Sequence, residues 1–333
     1  MSRAAPVLAL LLALAAPPSA PAQPRPAAVD RCLGPGGGGG LPGQWSDRRK
    51  VVHLAVCEWS KFGYPTAEIR PASPIEARSL PAPLGLAPQL RAAAAPQRLG
   101  YEAVTPAAEV QLRSGLTESD AAASPAVERY WSAVRPAFVD KVRRAREAAG
   151  AANLNPGWWD PWSAAFISWT FQSAGVSWFR GSASHVLYLK AAMAARPGAL
   201  VPVSRYRPLP GDLICAPRAA ARGQPTAVSE AAFLKALREG DEHFETHCDI
   251  VVRVNHASVV SIGGNVKNAV TATVTPLRGG RLIRTDVRPW SAALTMGEPY
   301  DPCARIENVP LPGWEGAGSA RKAALARTGC SGR

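Results

Sequence analysis

Three polar side chains stand where their local sequence could give them chemistry: Ser163, His247 and Asn265. Asp160-Pro161-Trp162-Ser163 opens an apolar run with an N-cap residue, a proline at the first helical position and a polar residue in the first turn. A nucleophile in that turn sits in the positive field of the helix terminus, which favours an anion. His247 begins a strand-like run to Val254, and Asp249, two residues on, shares its strand face. Asn265 follows Gly263-Gly264. A histidine on a sheet beside the helix can take a proton, and a third polar side chain can orient its ring. Taken singly, each residue has a plain structural use. Serine is common in first turns, a strand-end histidine is commonly satisfied by its neighbours, and asparagine after two glycines is a turn residue. Their order and spacing are what lift them above those uses.

Those side chains need elements to hold them. Ser46 caps a helix to about Phe62, with Val51, Val52, Leu54, Ala55, Val56, Trp59 and Phe62 as its apolar stripe and Gly63 and Pro65 as its stop. A helix from about Pro125 carries Val127, Tyr130, Trp131 and Val134, and Pro136 should kink or divide it. The Ser163 helix closes at Gly175, and a second helix, capped by Ser182, covers His185 to Ala195. Pro210-Gly211-Asp212 turns into a strand at Leu213–Ala216, and a small helix covers Ala231 to Arg238. Strand-like runs follow at His247–Val254, Ser258–Ile262 and Ala269–Val274, with Leu282-Ile283 as a fourth. Helices first and consecutive short strands afterwards predict an α+β domain with a small antiparallel sheet. The domain should span residues 46–300, with an Ala/Pro-rich insertion at about 71–106 wrapped over it and a tail at 301–333.

The motifs together resemble a known family. Pro161–Trp169 is similar to the helix start of the NlpC/P60-like and CHAP-like amidases, where a cysteine stands at the position of Ser163. Pro210–Ile214 resembles their strand-entry motif, His247–Val252 their histidine strand, and Ile262–Asn265 the turn with their third polar residue. The DUF2272 family within that superfamily is the nearest resemblance. It shares the serine form of the first motif, the Leu213-Ile214-Cys215 strand, the His247–Val252 strand, the Glu58-Trp59 helix and the Tyr130-Trp131 segment. The resemblance covers about residues 50–275 and implies a papain-like architecture, with Ser163 as nucleophile, His247 as base and Asn265 as orienter. The serine is a departure from the wider superfamily. A hydroxyl is much harder to deprotonate than a thiol, so it needs a concerted histidine base, usually strengthened by a carboxylate. Asn265 is an amide, and Asp249 is the nearby residue with the charge to help. Trp162, His185 and Asp249 are candidate substrate contacts. The resemblance implies hydrolysis of amide or peptide bonds in peptidoglycan peptides. The alternative is an inactive envelope module that binds peptide or glycopeptide in the same cleft.

Composition sets the setting. Arg3 precedes an apolar run from Val7 to Ala16, followed by Ala20-Pro21-Ala22, which predicts a signal peptide over residues 1–22 and an exported, periplasmic or secreted protein. The run is too short to span a bilayer, and no later stretch approaches that length. Residues 23–45 form a Pro/Gly-rich leader. The formal charge of +13 is scattered arginine without interleaved aromatics, which suits an anionic envelope surface and not a nucleic-acid partner. Six cysteines in an oxidising compartment favour disulfides, and locality suggests Cys32–Cys57, Cys215–Cys248 and Cys303–Cys330. No metal or cofactor is expected. His243, His247 and Cys248 match neither HExxH nor a CxxC set, and Gly36–Gly40 lack the strand and Lys-Ser/Thr of a phosphate loop.

Overall fold

The computed structural model describes residues 32, 41, 43, 45–72, 101–149, 160–218, 226–240 and 245–297. The expected signal peptide, the tail, most of the leader and positions 73–100 of the expected insertion lie outside them.

Helix α1 (Asp47–Lys61) begins where Ser46, in extended backbone, accepts the Arg49 N–H at 3.3 Å. It ends at Phe62, and Gly63 and Tyr64 then take left-handed backbone, with φ of 77° and 66°, to reverse the chain. Strand β1 (Thr66–Pro71) follows, then β2 (Tyr101–Ala103) and β3 (Ala107–Arg113). The Pro136 region is divided as expected: α2 (Ser124–Val134) stops at Arg135 and α3 (Pro136–Ala149) restarts at the proline. Next come α4 (Ser163–Ser173), α5 (His185–Ala195), β4 (Leu200–Pro202), β5 (Leu213–Pro217), β6 (Thr226–Val228) and α6 (Glu230–Glu239). Strands β7 (Thr246–Val254), β8 (Ser258–Val266), β9 (Ala269–Arg278), β10 (Arg281–Leu282) and β11 (Ala292–Leu294) complete the described chain.

The class is α+β, with a large and mostly antiparallel sheet. Its order is β3-β1-β9-β8-β7-β5-β11-β4, with β10 on β9, and a separate ribbon pairs β2 with β6. The expected meander β7-β8-β9 forms its centre. The sheet is larger than the short one the sequence predicts, because both flanks are recruited from a distance. Strand β1 lies parallel to β9, Thr66 opposite Ala272, and β3 pairs antiparallel outside it. On the other flank β11 adds to β5, Ala293 opposite Ile214, and β4 adds to β11. Thus the ends of the expected insertion are strands. Strand β1 finds β9 about 200 residues away in sequence, which no local pattern reports.

A large core fills the space between helices and sheet, with Trp59, Tyr130, Phe166 and Phe171 meeting Cys215, Cys248, Ile250 and Ile262. A smaller cluster, Val203, Ile214, Val251, Val259 and Trp290, packs separately. Strand alternation explains the division: successive residues of β5 and β7 fall into different clusters. No helix among the described residues is long and apolar enough to cross a membrane.

Two disulfides are present. Cys32–Cys57 ties the leader to α1, and Cys215–Cys248 joins directly opposed residues of β5 and β7 with Cα atoms 4.1 Å apart. Cys303 and Cys330 lie outside the described residues. The Cys215–Cys248 bridge closes 33 residues between adjacent strands. The double variant Cys215→Ala/Cys248→Ala should lose about 3–4 kcal/mol of unfolding free energy, chiefly through a less constrained unfolded chain. Urea titration of the two proteins checks this, and coincident midpoints would contradict it.

Candidate active site at the start of helix α4

Ser163 is the first residue of α4, and the cap differs from the sequence expectation. Trp162 occupies the N-cap position, with no side-chain cap bond, while the Asp160 carboxylate accepts from Arg135 Nη1 at 2.7 Å. Trp162 is held elsewhere. It is completely buried, its indole N–H donates to the Glu118 carboxylate, and its ring stacks on Phe62. Burial pushes the Glu118 carboxyl up, with the indole bond opposing. Trp162, which the sequence suggested as a substrate contact, is therefore a core anchor for the residue beside it and has no exposed surface.

The Ser163 hydroxyl meets a histidine, but from α5. Ser163 Oγ lies 2.6 Å from His185 Nε2, and His185 Nδ1 lies 2.5 Å from Tyr188 Oη. Helical spacing of three residues stacks Tyr188 beneath His185 on one face. The helix cap is at Ser184 and not Ser182. Ser182 instead brackets Ser168 through its backbone, donating at 2.9 Å and accepting at 2.8 Å. When the imidazole proton is on Nδ1 and donated to Tyr188, Nε2 is left as an acceptor for the Ser163 hydroxyl. Burial, then the charges of His247 and Arg218, hold His185 well below the ordinary imidazole value of 6.5. Tyr188 is pushed well above its usual range by burial and by Asp249.

His247 does not touch Ser163; its ring centroid is 5.7 Å from that of His185. Alternation along β7 is the reason. Cys248 and Ile250 point into the large core with α4, whereas His247 and Asp249 share the opposite parity with Val251 of the smaller cluster. His247 Nε2 lies 2.8 Å from Asp249 Oδ1, although neither atom makes a hydrogen bond of good direction, and Nδ1 has no hydrogen-bond partner. Asp249 Oδ2 accepts from Ser261 Oγ at 2.9 Å. Burial raises the Asp249 carboxyl, but His247, Arg288 and Ser261 outweigh it and hold the group below 3.8. Asp249 is fully buried, with Oδ1 beside His247 and Oδ2 on Ser261.

Gly263 and Gly264 lie within β8 and are not a turn. A Cβ on Gly263 would collide with Asp249 Oδ1 and come within 3.1 Å of His247 Nε2. On Gly264 it would stand 2.6 Å from Phe166 Cβ, on the α4 side. The missing side chains let β8 approach the histidine pair on one face and helix α4 on the other. The hairpin turn comes later, at Lys267-Asn268, both left-handed at φ 53° and 61°. Asn265, at φ 56°, occupies the bulge before it and makes no hydrogen bond to His247.

Two cavities open on these groups. One of about 290 Å³ is lined by Ser163, His185, Thr246, Arg218 and Glu245. The other, of about 350 Å³, is lined by His247, Asn265, Arg288 and again Arg218 and Glu245. The neighbours Thr246 and His247 line different cavities, as consecutive strand residues do. Sequence reasoning missed Tyr188, Glu118, Arg218 and Glu245. The His185-x-x-Tyr188 spacing was a usable signal for Tyr188, while the others are joined to the site only through space.

Residues 118–296, more than half of the chain, match the DUF2272 family, described as an uncharacterized protein conserved in bacteria. The chain belongs to the DUF2272 family. The matched region runs from Glu118 to Met296, so it holds Ser163, His185, Tyr188, His247, Asp249 and Asn265, while α1, β1, β2 and β3 precede it. No curated protein and no solved structure matches the chain. Among the described residues no group of histidine, cysteine, aspartate and glutamate side chains is placed to hold a metal ion.

His185 gives this DUF2272 chain a signature in pH. Its folded pKa is depressed, so below 6.5 the unfolded chain binds more protons than the folded one, and stability falls with pH through that window. The melting temperature should fall from about pH 7 to about pH 5, and His185→Gln should flatten that slope. Melting curves of both proteins across the interval check it; parallel slopes would contradict it.

Proposed function

We propose that this protein is an exported cell-envelope hydrolase of amide or peptide bonds, acting on peptidoglycan peptides with Ser163 as nucleophile. The contact between Ser163 Oγ and His185 Nε2, 2.6 Å at the mouth of a cavity, carries the reading. The order of motifs supports a papain-like, NlpC/P60-type arrangement: a nucleophile opening a helix, then a Pro-Gly-Asp strand entry, then a histidine strand. The apolar run at Val7–Ala16 and the two disulfides support export.

In this mechanism Ser163 Oγ attacks the substrate carbonyl as its proton passes to His185 Nε2, while Nδ1–H remains donated to Tyr188. The carbonyl oxygen gains the negative charge, and first-turn N–H groups of α4, which have no intrahelical acceptor, are aimed at that end of the helix. Collapse breaks the C–N bond, and His185 returns the proton to the departing amine. Water, activated by the same nitrogen, then cleaves the acyl-serine. His247, the base implied by family resemblance, lies beside His185 with ring centroids 5.7 Å apart and takes no part in this proton path.

A second reading is a cleft that binds peptide or glycopeptide without cutting it. The depressed basicity of His185 and the near-complete burial of Ser163 favour it. Mass spectrometry of muropeptides incubated with the oxidised mature protein, beside Ser163→Ala, separates the two. Products that vanish in the variant support hydrolysis, and intact muropeptides with both proteins support binding alone.

A further inference from the structure

The cavity beside His247 has a chemistry that the hydrolytic step does not use. Its wall holds three cations, Arg218, Lys267 and Arg288, and three carboxylates, Glu109, Glu245 and Asp286. Glu109 already receives Arg288 Nη2 at 3.1 Å and Lys267 Nζ at 3.3 Å. Asp286 accepts the Ala107 N–H at 2.9 Å, which ties it to β3. The third carboxylate, Glu245, is exposed at the mouth shared with the Ser163 cavity.

Some donor atoms of this wall remain unmet even though Arg288 Nη2 and Lys267 Nζ are on Glu109. Arg288 Nε and His247 Nδ1 are buried and have no hydrogen-bond partner. Among the described residues the Arg218 guanidinium and the Asn265 amide have no side-chain partner either, and both line the cavity. A buried donor left unmade costs free energy, and an anion supplied by a ligand would recover it. An Arg fork is suited to a carboxylate, which can accept two parallel N–H bonds.

We propose that this cavity is a subsite for a carboxylate of the substrate, held by Arg288 and Arg218 with His247 and Asn265 as further donors. It deepens the hydrolase reading and rests on it: the scissile amide lies over Ser163, and a free carboxylate on an adjoining residue lies in the second cavity. Arg218 lines both cavities, so it marks the passage between them. The substrate class is then an acidic peptide, and its amidated counterpart is a poor ligand. Glu109 belongs to β3, before the matched family region, so part of this subsite is supplied by the chain's own N-terminal strands.

The test measures binding, so that it does not depend on turnover. Calorimetric titration of Ser163→Ala protein with Ala-γ-Glu-Lys, as the free diacid and as the bis-carboxamide, should show the diacid binding at least about tenfold tighter, the gain expected of one charged bidentate contact. Arg288→Gln and, separately, the exposed Arg218→Gln should each remove most of that preference. Arg278→Gln, on an exposed end of β9 outside the cavity, should keep it. Equal affinity for the two forms, no binding of either, or a preference that survives both Arg288→Gln and Arg218→Gln would overturn the subsite. Hydrolysis of muropeptides by the wild type alongside equal affinities would overturn the subsite alone. A diacid preference without hydrolysis would overturn the catalytic reading and leave the subsite standing.

Discussion

Replacing Ser163 with alanine should lower amide hydrolysis by about 10⁴-fold or more, because the nucleophile and its base act as one unit. The variant should stay folded. Ser163 contributes one hydroxyl to a buried contact, and its loss leaves His185 Nε2 without that partner, at a cost of about 1–3 kcal/mol. A small fall in melting temperature with a very large fall in rate is the expected pair of results. Ser163→Cys provides the counterpart. A thiol at the same helix terminus is more easily ionised than a hydroxyl, so this variant should retain hydrolysis well above the alanine level. Rates on muropeptides read by mass spectrometry decide both. Activity retained in Ser163→Ala would remove the nucleophile from the proposal.

The largest stability effect is expected at Arg48, far from the chemistry in sequence but attached to it in space. Its Nη1 donates to Asp212 Oδ1 and to Pro210 O, each at 2.8 Å, and the two side chains are 3% and 0% exposed. Asp212 also accepts from Tyr206 Oη, the Leu209 N–H and the Met296 N–H. The Pro210-Gly211-Asp212 turn thereby binds α1 to the start of β5 and to the end of β11. Gly211, at φ 92°, is required on two counts, since a Cβ there would be strained and would press on Arg48 at 3.1 Å. Arg48→Ala leaves a buried carboxylate without its cation and should cost about 3–5 kcal/mol. Urea titration measures it, and a loss below about 1 kcal/mol would show that α1 docks without the pair. Arg48→Met with Asp212→Asn should recover part of the loss, because the stranded charge is then gone.

The two experiments act on different parts of one arrangement. The first turn of α4 is positioned by Trp162 and Glu118 from inside the family region, whereas β5, which carries Cys215, is held from outside it by α1. Loss at Arg48 should therefore lower activity only as far as the folded population falls. Loss at Ser163 should lower it at full population.

Local patterns determined a good deal about this chain. Cap residues and apolar stripes placed α1, α4, α5 and α6 within a few residues, and apolar runs bounded by turns placed β5, β7, β8, β9 and β10. The Cys215–Cys248 bridge followed from reading those two runs as neighbouring strands, and the order of motifs was enough to recognise DUF2272. Such features depend on contacts a few residues apart, so the sequence carries them directly. Partnership over long distances was decided only in three dimensions. Strands β1 and β3, on either side of the expected insertion, were not foreseen, because β1 joins the distant β9 and β3 joins β1. His247 has the right type and order for a base, but strand parity turns it from Ser163, and His185 makes the contact instead. The glycines before Asn265 looked like a turn because glycine permits one; here they are bare so that Asp249 and Phe166 can come close. Residue type fixes what a group can do, and packing decides which group stands within reach.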